Sequence, residues 1–234
     1  MRRLLPCTLT LLAIPMMFAC GTARQTPKDC LRSIFDGASL EGWRAIPPES
    51  RDDWTVEDGA IVGRGSRKRL SYLVWHRELT DFELEFSVRM ITKGNSGVEV
   101  RARIDESGKR PLEGYHADFG HIGIGPQILG AWDFHFATRA EPPCPRGTRL
   151  IIAADGELEF ATIDGALTLA GVREGWNDVR VVARGQHLSF EINGRLASEF
   201  TDHFDGAFFT GLLGLQLHDK GMVVAFRDLR VREL

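Results

Sequence analysis

No apolar repeat of 3.6 residues persists anywhere in this chain of 234 residues, which excludes helical bundles and leaves few helices. Neither charge sign dominates. The formal net charge is −3, so nothing calls for a polyanion partner. The one basic cluster, RGSRKRL at 64–70, has the composition of a solvated loop, and no nucleic acid is expected. Cysteine is scarce, with four in all and no zinc-type spacing. There is no G-x-S-x-G, no H-E-x-x-H, no P-loop and no EF-hand loop. The glycines of GHIGIGPQ open no helix in a βαβ unit, so no dinucleotide site is expected either. What is present is ordinary in bulk. A hydrophobic share of 43% and a charged share of 26% fit one soluble core, and the length is too short for two domains behind a leader.

The first twenty residues, MRRLLPCTLTLLAIPMMFAC, differ in kind. Two arginines precede an apolar run that ends at Ala19-Cys20, the layout of an export signal. The run is short for a membrane span and carries Pro6 and Pro15. A cysteine after the small residue predicts a signal peptide over 1–19 and lipidation of Cys20, although Met17 and Phe18 depart from the usual lipobox; plain secretion is the alternative. Gly21 follows, not the aspartate that retains some lipoproteins at the inner membrane. The expected location is that of an exported bacterial lipoprotein, periplasmic or attached to the outer membrane, touching the membrane only through its lipid. Residues 20–33 are expected to be a tether. That leaves Cys30 and Cys144 as an even pair in an oxidising compartment, for which a disulfide is expected and two thiols are the alternative.

From Ile34 to Leu234 the chain alternates in short runs broken by Gly, Asp and Asn. WTVEDGAIVGRG is a hairpin turning at Asp58-Gly59. DFELEFSVRM sets Phe82, Leu84, Phe86 and Val88 against Glu83 and Glu85. NDVRVVARGQHLSFEINGRLASEF predicts a three-stranded meander, and GLLGLQLHDKGMVVAFRDLRVREL two closing strands. About a dozen short strands without a propeller repeat predict an all-β jelly roll of two sheets. The Gly- and Pro-rich stretch 121–176 is expected to form loops.

Four strands share one grammar. Their non-core faces carry Glu83 and Glu85; Glu99, Arg101 and Arg103; His116 and Asp118 of GYHADFG; and Gln216 and His218. Placed in one curved sheet, these sets would line a groove of carboxylates, Arg, His, Gln and Trp suited to sugar hydroxyls and ring faces. The plain alternative is a wet outer face. The two histidines and the glutamine weigh against it, because exposed strands more often carry Lys, Thr or Glu.

Six ordered blocks, SIFDGASLEGW, WTVEDGAIVGRG, DFELEFSVRMITKGNSGVEVRARI, GYHADFG, GWNDVRVVARGQHLSFEINGRLASEFTD and the C-terminal block, resemble the DUF1080 family, the 3-keto-disaccharide hydrolase domain. The resemblance implies a concanavalin-like jelly roll and a carbohydrate-active enzyme that cleaves 3-keto-glycosides. It places Asn95, Gly97, Arg101, Asp118, Gln216 and His218 on family positions. It implies His116 or His218 as base, Asp118 as its orienting partner and Arg101 as enolate stabiliser. Glu83, Glu85, Glu99, Gln216, Asn95 and Trp132 would then contact substrate. The one cofactor this chemistry leaves room for is a divalent cation on His116, Asp118 and His218, as an alternative to Arg101 in stabilising the enolate. The chain departs from the family after GYHADFG, where HIGIGPQILGAWDFHFATRAEPP replaces an acidic-basic run. A non-catalytic, lectin-like sugar-binding module is the alternative reading.

Overall fold

Asp58 and Gly59 both take the left-handed conformation (φ 48° and 74°), which lets strand β3 (Trp54–Glu57) turn within two residues into β4 (Ala60–Arg64). This predicted hairpin is one edge of a computed structural model that describes residues 30–66 and 70–234. The larger of its two sheets has ten strands. Its order is β11 (Leu158–Thr162), β10 (Thr148–Ile152), β14 (Arg195–Asp202), β13 (His187–Ile192), β12 (Asn177–Arg184), β6 (Phe82–Met90), β16 (Val223–Glu233), β4 and β3. Strand β1 (Arg32–Ser33) also pairs with β16, so the sheet begins inside the stretch expected to be tether. The smaller sheet runs β2 (Trp43–Ile46), β5 (Ser71–Trp75), β15 (Leu212–Leu217), β7 (Asn95–Ile104), β8 (Leu112–Gly120) and β9 (Trp132–His135). Among the described residues the helices are two 3₁₀ segments, Pro48–Asp53 and Leu169–Gly171.

The core lies between the sheets. Phe86 of β6 meets Phe119 of β8 at 5.8 Å, and Phe200 of β14 packs on both Tyr115 and Trp132. Each ring sits at the inward parity of its strand, as alternation requires. The architecture is therefore the two-sheet jelly roll expected. The stretch 121–176 is a correction, since it supplies β9, β10 and β11. Its glycines and prolines punctuate short strands rather than replace them.

The disulfide expectation is also corrected. Cys30 is exposed, while Cys144 is buried with its Sγ against Thr148 and the Glu199 carbonyl, and no bond joins them. The signal peptide, Cys20 and residues 20–29 of the tether lie outside the described residues.

Candidate functional site

The polar cluster of this molecule grows from strand parity on the outer face of the smaller sheet. Tyr115, Ala117 and Phe119 of β8 enter the core, so His116 and Asp118 turn the other way. Glu99 stands directly opposite His116 across the β7–β8 ladder. In β9, Trp132 and Phe134 go inward, which turns Asp133 and His135 onto the same outer face. Tyr72 of β5 and Gln216 of β15 complete the row.

Glu99 is its pivot, fully buried, with one carboxylate oxygen meeting three groups. His116 Nδ1 lies 2.9 Å away, His135 Nδ1 3.0 Å, and the Tyr72 hydroxyl donates from 3.3 Å. The two imidazoles stack at 4.8 Å with their planes 22° apart. Each ring's far nitrogen faces a second carboxylate: His116 Nε2 lies 3.4 Å from Asp118, and His135 Nε2 lies 3.2 Å from Asp133.

Charge in this cluster is set by competition. Burial alone would raise Glu99, but His135 and His116 hold it down at about 2. Burial would likewise lower His116, yet Asp118 and Glu99 outweigh it and raise the ring to about 10. His135 moves upward too, with burial opposed by Glu99 and Asp133. Several polar atoms are buried without a hydrogen bond: Glu99 Oε1, Gln216 Oε1 and Asn95 Oδ1, along with His116 Nε2, which has only its charge contact with Asp118. So many unsatisfied groups on one face mark a place built to meet something else.

A cavity of about 360 Å³ opens beside the cluster, within the usual size of small-molecule sites (about 300–1,000 Å³). Asn95, Asp118 and Asp133 form its polar side, and Pro126, Ile128 and Pro143 are among its apolar walls. Gly97 makes room for the imidazole, because a β-carbon there would stand 2.1 Å from His116 Nε2. Gly97→Ala is expected to displace that ring and destabilise the domain by about 1–3 kcal/mol, measured by urea unfolding.

Several residues singled out from the sequence go elsewhere. Glu83 and Glu85 lie on the other sheet; Glu83 pairs with Arg180 and Arg232, and Glu85 with Arg230. Alternation gives the face of a strand but not its sheet. Trp132 is a core residue, bonded through its indole N–H to the Ser198 carbonyl. Arg101 falls in a bulge of β7 with φ 49°, and the irregularity turns it out of the row of Glu99. Its buried guanidinium instead grips the carbonyls of Thr80, Gly185 and Phe208. Arg103, beyond the bulge, packs over Phe208. His218 follows the end of β15, nearly half exposed, and its ring pairs with Asp219 at 2.9 Å. Asn95 does reach the cavity: its side-chain amide faces Asp118 at 3.4 Å, and its backbone N–H donates to Asp219. Sequence reasoning missed Tyr72, Asp133 and His135. The alternation in WDFHF carried the last two, hidden by the Gly-Pro-rich flanks.

A model of the 3-keto-alpha-glucoside-1,2-lyase-like domain family matches residues 31–232. No curated protein matches the sequence. Among solved structures, a candidate glycosyl hydrolase from Parabacteroides distasonis is 17% identical, with a TM-score of 0.59 over 87% of this chain and 94% of that one. The carbohydrate-binding module CBM66 from Bacillus subtilis is 16% identical (TM-score 0.51; 82% and 96% covered). A Bacillus subtilis protein with a galectin-like fold is 11% identical (TM-score 0.53; 83% and 90% covered). At such identities the likeness is one of fold.

Proposed function

This chain belongs to the 3-keto-alpha-glucoside-1,2-lyase-like domain family, and from that premise we propose that it cleaves 3-keto-glycosides in the cavity beside Glu99. The observation that carries the reading is the placement of two carboxylates, Asp118 and Asp133, on the wall of a sugar-sized cavity, each backed by an imidazole. A ketone at C3 acidifies the hydrogen on C2. Asp118 or Asp133 accepts that proton, and the electron pair moves into the enolate. The pair then forms the C1–C2 double bond as the C1–O bond breaks, and the departing oxygen takes up the proton that the carboxylate accepted. Water added across that double bond makes the overall result hydrolysis. The cluster around Glu99 sets the field in which the negative enolate forms, and the side-chain amide of Asn95 is a donor at the same wall. If Cys20 is lipidated, the enzyme works at a membrane surface.

Incubation with a 3-keto-glucoside tests this, following loss of the ketone and release of the aglycone. Turnover is the expected outcome. A second reading, a non-catalytic sugar-binding module, is favoured by the sandwich shared with CBM66. It requires saturable binding of the same sugar with no turnover, and that result would replace the enzyme reading.

A further inference from the structure

We propose that Glu99, His116 and His135 form a binding site for one divalent transition-metal ion. Three adjacent strands of one sheet deliver the three side chains, so their spacing is set by the ladder and not by a mobile loop. One ligand atom from each residue lies within 4.8 Å of those of the other two. Ligand atoms held at about 2.0–2.2 Å from an ion stand roughly 3–4 Å apart, so only a small contraction is needed.

The second row of contacts points the same way. Both imidazoles direct Nδ1 to the same Glu99 oxygen; His135 Nε2 is hydrogen-bonded to Asp133, and Asp118 stands 3.4 Å behind His116 Nε2 as an ion-pair contact. A histidine that ligates a metal characteristically gives its other nitrogen to a carboxylate in this manner, which fixes the ring and strengthens it as a donor. The other Glu99 oxygen, Oε1, is fully buried and has no partner in the protein. A buried carboxylate oxygen left without a partner is costly unless a donor or a cation meets it. Two imidazole nitrogens and one carboxylate suit zinc, manganese, cobalt or ferrous iron; calcium and magnesium prefer all-oxygen shells.

The assignment differs from the cation site expected from the sequence. Asp118 stands behind the ligand His116, and His218 pairs with Asp219 instead. It deepens the proposed reaction, yet it is tested without substrate.

The full chain, stripped with a chelator, would be dialysed against Zn²⁺, Mn²⁺ or Co²⁺ and its metal counted by mass spectrometry. The expected result is one ion per chain for at least one of these metals, with a visible absorption band in the cobalt form. Glu99→Gln and His135→Ala should each weaken binding by about 100-fold or more, and Asp133→Asn by about 10–100-fold. His187→Ala, on the other sheet, should bind as the parent does. Metal no higher in the wild type than in the dialysis buffer would overturn the site, as would undiminished binding in Glu99→Gln and His135→Ala. Circular dichroism checks the fold of each variant. Should Glu99→Gln not fold, His135→Ala and Asp133→Asn decide, and parental affinity in both would overturn the proposal. A bound ion without turnover of 3-keto-glucoside would sink the reaction alone; turnover in chains that take up none of the three metals on dialysis would sink the ion alone.

Discussion

Replacement of Arg101 by methionine is expected to lower the unfolding free energy by about 3–5 kcal/mol, a fall in Tm on the order of 10 °C for a domain of this size. The guanidinium is 1% exposed and donates to the carbonyls of Thr80, Gly185 and Phe208 and to the Asp81 carboxylate, at 2.6 to 3.2 Å. Methionine keeps much of the apolar stem but strands those acceptors at the end of the sandwich. A buried acceptor that loses its donor carries its full desolvation cost, which is why the expected loss exceeds that of an ordinary surface change. Thermal and urea unfolding measure it directly. The alternative assignment, Arg101 as a charge stabiliser in the cavity, requires the opposite pattern: normal stability and lost turnover. That pattern would return Arg101 to the site.

Asp118→Asn and Asp133→Asn should each fold normally and reduce kcat on a 3-keto-glucoside, the true proton acceptor by about 100-fold or more. Both carboxylates line the cavity, and each faces the far nitrogen of a histidine that meets Glu99. Asparagine preserves the shape and one acceptor oxygen but cannot take up a proton. The carboxylate that only orients its imidazole should lose less, with the fall shared between kcat and KM. Wild-type kcat in both variants would remove these two residues from the chemistry and leave a wet strand face.

Much of this arrangement was legible in alternation alone. Parity on β8 separated Tyr115, Ala117 and Phe119 from His116 and Asp118, and the Asp58-Gly59 turn set its hairpin. Parity fails where the backbone breaks period. The bulge at Arg101 shifts the register between Val100 and Arg103, so a residue counted onto the Glu99 face turns away from it. It is also blind to which sheet a strand joins, the reason Glu83 and Glu85 were placed with a groove they do not border. His135 was missed because a four-residue strand between Gly- and Pro-rich segments carries too little pattern to stand out.

The strand order has a consequence for how the chain reaches this state. β15 lies between β5 and β7, and β16 between β4 and β6, so the segment 212–234 closes both sheets. Until it arrives, β2 with β5, and β3 with β4, are isolated two-stranded ribbons, too small to persist in water. A chain still being synthesised therefore holds neither a finished core nor the row from Tyr72 through Gln216 to Glu99. Such sequence-distant closure belongs to the slow class of folders, on the order of milliseconds to seconds. Loss of β15 and β16 would cut both layers in two at once, so intactness of residues 212–234 gates assembly of both sheets.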